Sequence, residues 1–230
     1  MTIEFVGLPG SGKTTLIKTL KENKINFFSY KEIYDLYFEN LPFPSFLVSK
    51  LKFPLEKVKY LSFVFLKDLF ISKLKSRKNW GFLKPLIKKG LPDKKERRYF
   101  VKHFKRRTSL QYIFSRKYKD KVLIFDEGEL QILMTFLRKE NIHQIKKYNA
   151  NKVVVLSVSL DVALERIIKR MQKSPHKDNL YSETSPKLLE IKNNNLSSIL
   201  EDLTKRSIPF FIVEGGMNFS DSLADFIKIN

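Results

Sequence analysis

Residues 7–14 read Gly7-Leu8-Pro9-Gly10-Ser11-Gly12-Lys13-Thr14, the spacing G-x-x-x-x-G-K-[ST], between the apolar run Ile3-Glu4-Phe5-Val6 and the helical stretch Thr15-Leu16-Ile17-Lys18-Thr19-Leu20. Strand, glycine-rich turn and helix start coincide, and that context gives the spacing its physical meaning. Glycines let the backbone turn its N–H groups inward around phosphate oxygens, and the helix start adds the positive end of its dipole. Lys13 is expected to reach the β- and γ-phosphates of a nucleoside triphosphate, and the Thr14 hydroxyl to ligate Mg²⁺. Gly7, Pro9, Gly10, Ser11, Gly12, Lys13, Thr14 and Thr15 are the residues expected to hold ATP. The bland alternative is an anion-binding turn without catalysis, and the retention of both Lys13 and Thr14 speaks against it.

The rest of the chain continues the alternation. Strands are expected near 2–6, 26–30, 122–125, 153–158 and 209–213, and helices near 13–23, 31–39, 94–118, 161–170, 187–206 and 220–228. Leu41-Pro42-Phe43-Pro44, Trp80-Gly81 and Gly90-Leu91-Pro92-Asp93 read as breaks, 45–75 carries apolar residues at helical spacing, and 171–186 reads as a polar loop. Strands alternating with helices argue an α/β fold with a parallel sheet covered on both faces. A chain of 230 residues buries a substantial core as one domain. The absence of cysteine excludes disulfides, thiolate metal sites and cysteine nucleophiles, and the three histidines show no metal-ligand spacing. No apolar stretch approaches the roughly 20 residues of a spanning helix, and strand one starts at once, so a cytoplasmic location is expected.

Two further constellations carry chemistry. Val122-Leu123-Ile124-Phe125 is a buried-type strand ending in Asp126-Glu127-Gly128. An acid there can hold or orient Mg²⁺, or accept the proton of an attacking hydroxyl, and the residues alone leave open both the role and the choice of Asp126 or Glu127. For Glu127 and Glu129 the structural alternative is capping of the next helix. In the second constellation, Arg166 and Arg170 stand four apart on a helix that leads into the loop at 171–186. Guanidinium groups so placed can clamp a phosphoryl group in flight, and the loop suits a lid; the alternative is an exposed face pairing with Glu165 or Asp161.

The loop Gly7–Thr14, the strand end Asp126-Glu127-Gly128, and Asp161-Val162-Ala163-Leu164-Glu165-Arg166 with Arg170 resemble the nucleoside and nucleotide kinase group, with thymidylate-kinase-like proteins nearest. The resemblance covers roughly residues 1–30 and 120–230. It implies a three-layer P-loop kinase fold, with a five-stranded parallel sheet in the order 2-3-1-4-5, a Mg·ATP site, a substrate-binding insertion at 41–118 and an arginine-bearing lid. It gives Lys13, Thr14, Asp126, Arg166 and Arg170 the corresponding roles. Thymidylate kinases follow the strand-ending Asp with Arg, whereas this chain has Glu127, a charge that repels a nucleotide phosphate and argues against thymidylate as substrate. Asp126-Glu127-Gly128-Glu129-Leu130-Gln131 also resembles, over a shorter stretch, kinase-like proteins from surface-polysaccharide gene clusters. A GTPase fits less well, since Asp126-Glu127-Gly128 is too short for D-x-x-G and no N-K-x-D occurs.

Charge is concentrated rather than spread. The chain carries a net +20, and residues 46–121 hold 24 Lys/Arg against 5 Asp/Glu. An anionic acceptor is the sharp reading of this segment, with Arg106 or Arg107 gripping its phosphate or carboxylate and Glu127 beside it. A membrane surface, nucleic acid and a solvated basic face are the alternatives. Two function classes follow: an ATP-dependent small-molecule kinase, or a nucleotide-gated protein whose basic segment binds nucleic acid or an anionic membrane. Apolar residues at 60–71 suit either the core or a homodimer seam.

Overall fold

The computed structural model describes residues 1–39, 80–90, 94–126, 128–134, 142, 145, 148–173, 186–215 and 220–228. Strands β1 (Thr2–Gly7), β2 (Phe28–Ser29), β3 (Leu123–Phe125), β4 (Lys152–Ser157) and β5 (Phe210–Glu214) form one sheet in the order β2-β3-β1-β4-β5. Every pairing in it is parallel, as the alternation of elements requires. The helices are α1 (Lys13–Glu22), α2 (Tyr30–Glu39), α3 (Trp80–Gly90), α4 (Lys94–Lys117), α5 (Glu129–Leu133), α6 (Leu160–Lys173), α7 (Pro186–Lys205) and α8 (Asp221–Ile227).

The central strand β1 is buried along its whole length, and the two-residue period of a strand sends alternate side chains to opposite faces. Ile3 and Phe5, with Val154 and Leu156 of β4, pack on Leu16 and Leu20 of α1 and on Leu223 and Ile227 of α8. Val6, Val153 and Val155 meet Leu130 and Leu133 of α5 and Leu196, Ile199 and Leu203 of α7 on the other face. Helices therefore cover both faces, giving the three-layer arrangement. The basic helix α4 is also a core element: Leu110, Ile113 and Phe114 lie against Leu123 and Phe125 of β3, while Lys94, Arg98, Arg116 and Lys117 are exposed.

Three expectations are corrected. Trp80-Gly81 is no break but the start of α3, which continues through Pro85 to Gly90. Pro85 removes one amide donor from this helix, and Ile87, two residues on, is buried against the α5–α7 cluster. The polar loop begins later than 171, because Met171, Gln172 and Lys173 complete α6. The second strand shrinks to Phe28–Ser29, with Tyr30 opening α2. The break at 41–44, the helical pattern at 45–75 and the loop from 174 to 185 lie outside the described residues.

Candidate functional site

In a parallel sheet, the loops at the carboxyl ends of neighbouring strands share one edge, and ligands collect there. The loop after β1 and the turn after β3 are such neighbours. The first is closed by Ser11 N–H donating to Leu8 O at 3.0 Å, and Ser11 is fully buried. Gly10 has φ +82°, and a Cβ on it would come 2.8 Å from Ala163 O. A side chain at Gly10 is therefore excluded both by conformation and by the close seat of α6 on the loop. No side chain caps α1 at Gly12, which leaves the first-turn N–H groups for an anion. Lys13 Nζ lies inside the loop, donating to Gly7 O at 2.8 Å and Leu8 O at 3.1 Å. Thr14 and Thr15 are exposed on the first turn of α1.

The structure brings Arg166 to this loop: its Nη1 donates to Gly10 O at 3.2 Å. Glu165, the alternative partner weighed from sequence, instead accepts from Lys169. Arg170, one turn further along α6, is exposed. Asp126 is half-buried in the turn directly after β3, and Glu127 lies outside the described residues. Arg107 is half-buried with its guanidinium 5.1 Å from the centre of the Tyr30 ring. Tyr30 meets the ring of Phe125 edge-on at 5.9 Å, so Arg107 is tied by aromatic contacts to the residue preceding Asp126. The Arg106 side chain is outside the described residues.

Sequence reasoning missed the group beneath these parts. Glu4, in the middle of β1, is wholly buried and accepts from Gln131 N at 2.8 Å and from Gln111 Nε2 at 3.4 Å. Burial pushes its carboxyl up to about 8, with Glu129 acting in the same direction against the hydrogen bonds from Gln131, Gln111 and Leu130. Gln111 Oε1 accepts from Glu129 N at 3.1 Å, and Gln131 Oε1 accepts from Gly7 N at 3.0 Å. Gly128 packs on this carboxyl so closely that a Cβ would stand 2.4 Å from Glu4 Cδ. Glu129 opens α5, where an acid complements the helix dipole, but its side chain is buried and accepts from Asn149 Nδ2 at 2.6 Å. The available signal was Glu4 itself, an acid inside an otherwise apolar strand of a parallel sheet.

Among the described residues, no cluster of three His, Cys, Asp or Glu side chains could hold a metal alone. Mg²⁺ keeps waters and phosphate oxygens and asks one or two protein oxygens of its site. The Thr14 hydroxyl, exposed at the α1 start, and the Asp126 carboxylate on the neighbouring strand end are oxygens of that kind. No helix among the described residues is long and apolar enough to cross a membrane.

No family model matches the chain, and no curated protein matches it. Among solved structures it is similar to deoxyadenosine kinase from M. mycoides. With bound dATP, that structure gives 16% identity and a TM-score of 0.42, over 99% of this chain and 97% of the other. With the products dCMP and a flexible dCDP, it gives 14% identity and 0.47, over 99% and 96%. With bound dCTP, the values are 15% and 0.46, again over 99% and 96%.

Proposed function

We propose that this protein is an ATP-dependent phosphotransferase acting on a small anionic acceptor, such as a nucleotide, nucleoside or sugar derivative. The observation that carries the proposal is the hydrogen bond from Arg166 to Gly10 O, which sets a second cation on the loop that already holds Lys13. A glycine-rich turn needs one lysine to hold phosphates. A guanidinium reaching it from a separate helix is what phosphoryl transfer adds, because charge spreads over the equatorial oxygens in the transition state. Gly7 to Thr15 seat the triphosphate, Lys13 moves from the loop carbonyls to the β- and γ-phosphates, and Arg166, with Arg170 one turn on, steadies the group in flight. Mg²⁺, when bound to Thr14 and Asp126, neutralises phosphate charge. To Asp126 we also assign the role of orienting the acceptor or taking its proton as the acceptor oxygen bonds to the γ-phosphorus and ADP leaves.

On the acceptor side we place Arg107 and its neighbour Arg106, with Glu127 beside Asp126, and read α3 and α4 as the described part of an acceptor-binding insertion spanning 41–118. Arg107→Glu is expected to raise the acceptor KM by roughly tenfold or more while changing the KM for ATP by less than about threefold. A shift in the KM for ATP alone would remove Arg107 from the acceptor site.

The test is ATP turnover with Mg²⁺ by the purified protein against nucleosides, nucleoside monophosphates and phosphorylated sugars, with products identified by mass. Transfer to one panel member supports the proposal and names the acceptor class. ATP binding without acceptor-stimulated turnover, together with salt-dependent binding of nucleic acid or anionic vesicles, would replace it with the nucleotide-gated binding protein.

A further inference from the structure

The register between β1 and β3 covers Thr2, Ile3 and Glu4 only, because β3 ends at Phe125. Three residues beyond, where β1 becomes the phosphate loop, the Gly7 N–H has no strand partner on β3 and is received by the side chain of Gln131 at 3.0 Å. Gln131 is itself held: its backbone N–H donates to Glu4 Oε1 at 2.8 Å, and its side chain is almost wholly buried. Glu4 in turn lies under Gly128 and accepts from Gln111 of α4, the helix that carries Arg107.

We propose that Gln131, anchored on Glu4, is a positioning residue that fixes the first peptide of the phosphate loop to the turn carrying Asp126. Its amide oxygen continues the missing strand by one hydrogen bond. The loop after β1 and the turn after β3 then keep one spacing whether or not a triphosphate is seated. Such rigidity matters because a triphosphate and the group that receives its terminal phosphoryl must be aligned to within fractions of an ångström. Gln111 makes a contrasting contact. Its hydrogen bonds go to the same buried carboxyl and come from the Glu129 N–H, not to or from a residue of the loop.

This inference rests on reading the loop as the seat of ATP, and the experiment separates the two. Equilibrium binding of ATP with Mg²⁺ is measured by calorimetry for the wild type, Gln131→Met and Gln111→Met, with thermal melting of each. Met keeps the side-chain volume and removes the acceptor. Leaving the buried Gly7 N–H unsatisfied is expected to weaken ATP binding roughly tenfold in Gln131→Met, against less than about threefold in Gln111→Met. Equal weakening in both variants would mean general loosening around Glu4 and overturn the assignment, as would unchanged affinity in Gln131→Met. Should that variant fail to fold, Gln131→Asn, which keeps an amide but shortens its reach, decides by the same criterion. A wild type that binds ATP and transfers nothing to any acceptor sinks the kinase reading and leaves this result standing, whereas a wild type that does not bind ATP overturns both.

Discussion

Lys13→Ala is expected to lower kcat/KM for phosphoryl transfer by at least about 10³-fold with the fold intact. The loss corresponds to about 4 kcal/mol of transition-state stabilisation, the scale seen when a preorganised charge or donor is removed from a developing anion. The fold survives because the ammonium group contributes little to packing. It donates to Gly7 O and Leu8 O inside the loop, part-buried contacts within the turn itself and outside the apolar core. The apolar residues that fix α1 against the sheet are Leu16 and Leu20, one and two turns further along the helix. Losing those two hydrogen bonds costs on the order of 1 kcal/mol each at most. Turnover is measured with the acceptor identified from the panel, and the fold is checked by circular dichroism and thermal melting. A folded variant retaining more than about a tenth of wild-type turnover would show that the loop is only an anion-binding turn.

The parts of this molecule that can be read from the chain are those whose physics is local. A glycine that must take positive φ, a lysine at the start of a helix and a four-residue apolar run each leave a mark within a few residues; the alternation they set argues a parallel sheet, and the strand order came only with the resemblance to nucleoside and nucleotide kinases. The i, i+4 spacing of Arg166 and Arg170 was local as well, but only the fold sets Arg166 on the face of α6 whose Ala163 lies against Gly10. Gly81 misled because a glycine after a polar run reads as a break, although it is the second residue of α3, a helix that buries Ile87. The polar network was illegible in its connections. Glu4, Gln111 and Gln131 lie more than a hundred positions apart in two of its three pairings. Glu4 is a single acid in an apolar run, whereas Gln111 and Gln131 stand near polar neighbours that keep them from standing out. Only the end of β3, one register step past Ile124, brings them together and gives Gln131 its place on Gly7.

Glu4 gives the largest expected effect on stability, and its sign is fixed by its surroundings. An unfolded glutamate ionises near 4.5, whereas the buried Glu4 carboxyl holds its proton up to about 8. Between those values the native state binds a proton that the unfolded chain has released, so raising the pH favours unfolding. The wild type is therefore expected to lose stability from about pH 4.5 to about pH 8, on the order of 3–5 kcal/mol, and then to level off with respect to this group. The desolvation that causes this is not relieved by an ion pair: the charged group that acts on Glu4 is Glu129, of the same sign, while Gln111 and the Gln131 backbone offer only neutral donors. Glu4→Gln keeps an oxygen to accept from the Gln131 N–H and removes the ionisation. Its unfolding free energy in urea should match the wild type near pH 5 and exceed it by a few kcal/mol at pH 9, with a melting temperature there roughly 6–12 °C higher. The difference between the two proteins at each pH cancels the titrating groups that do not act on position 4, so the measurement isolates Glu4 together with its neighbour Glu129. Parallel profiles from pH 5 to pH 9 would mean that Glu4 is already ionised in the folded protein. The carboxylate would then have to be stabilised by the N–H groups at the start of α5 far more than their count suggests.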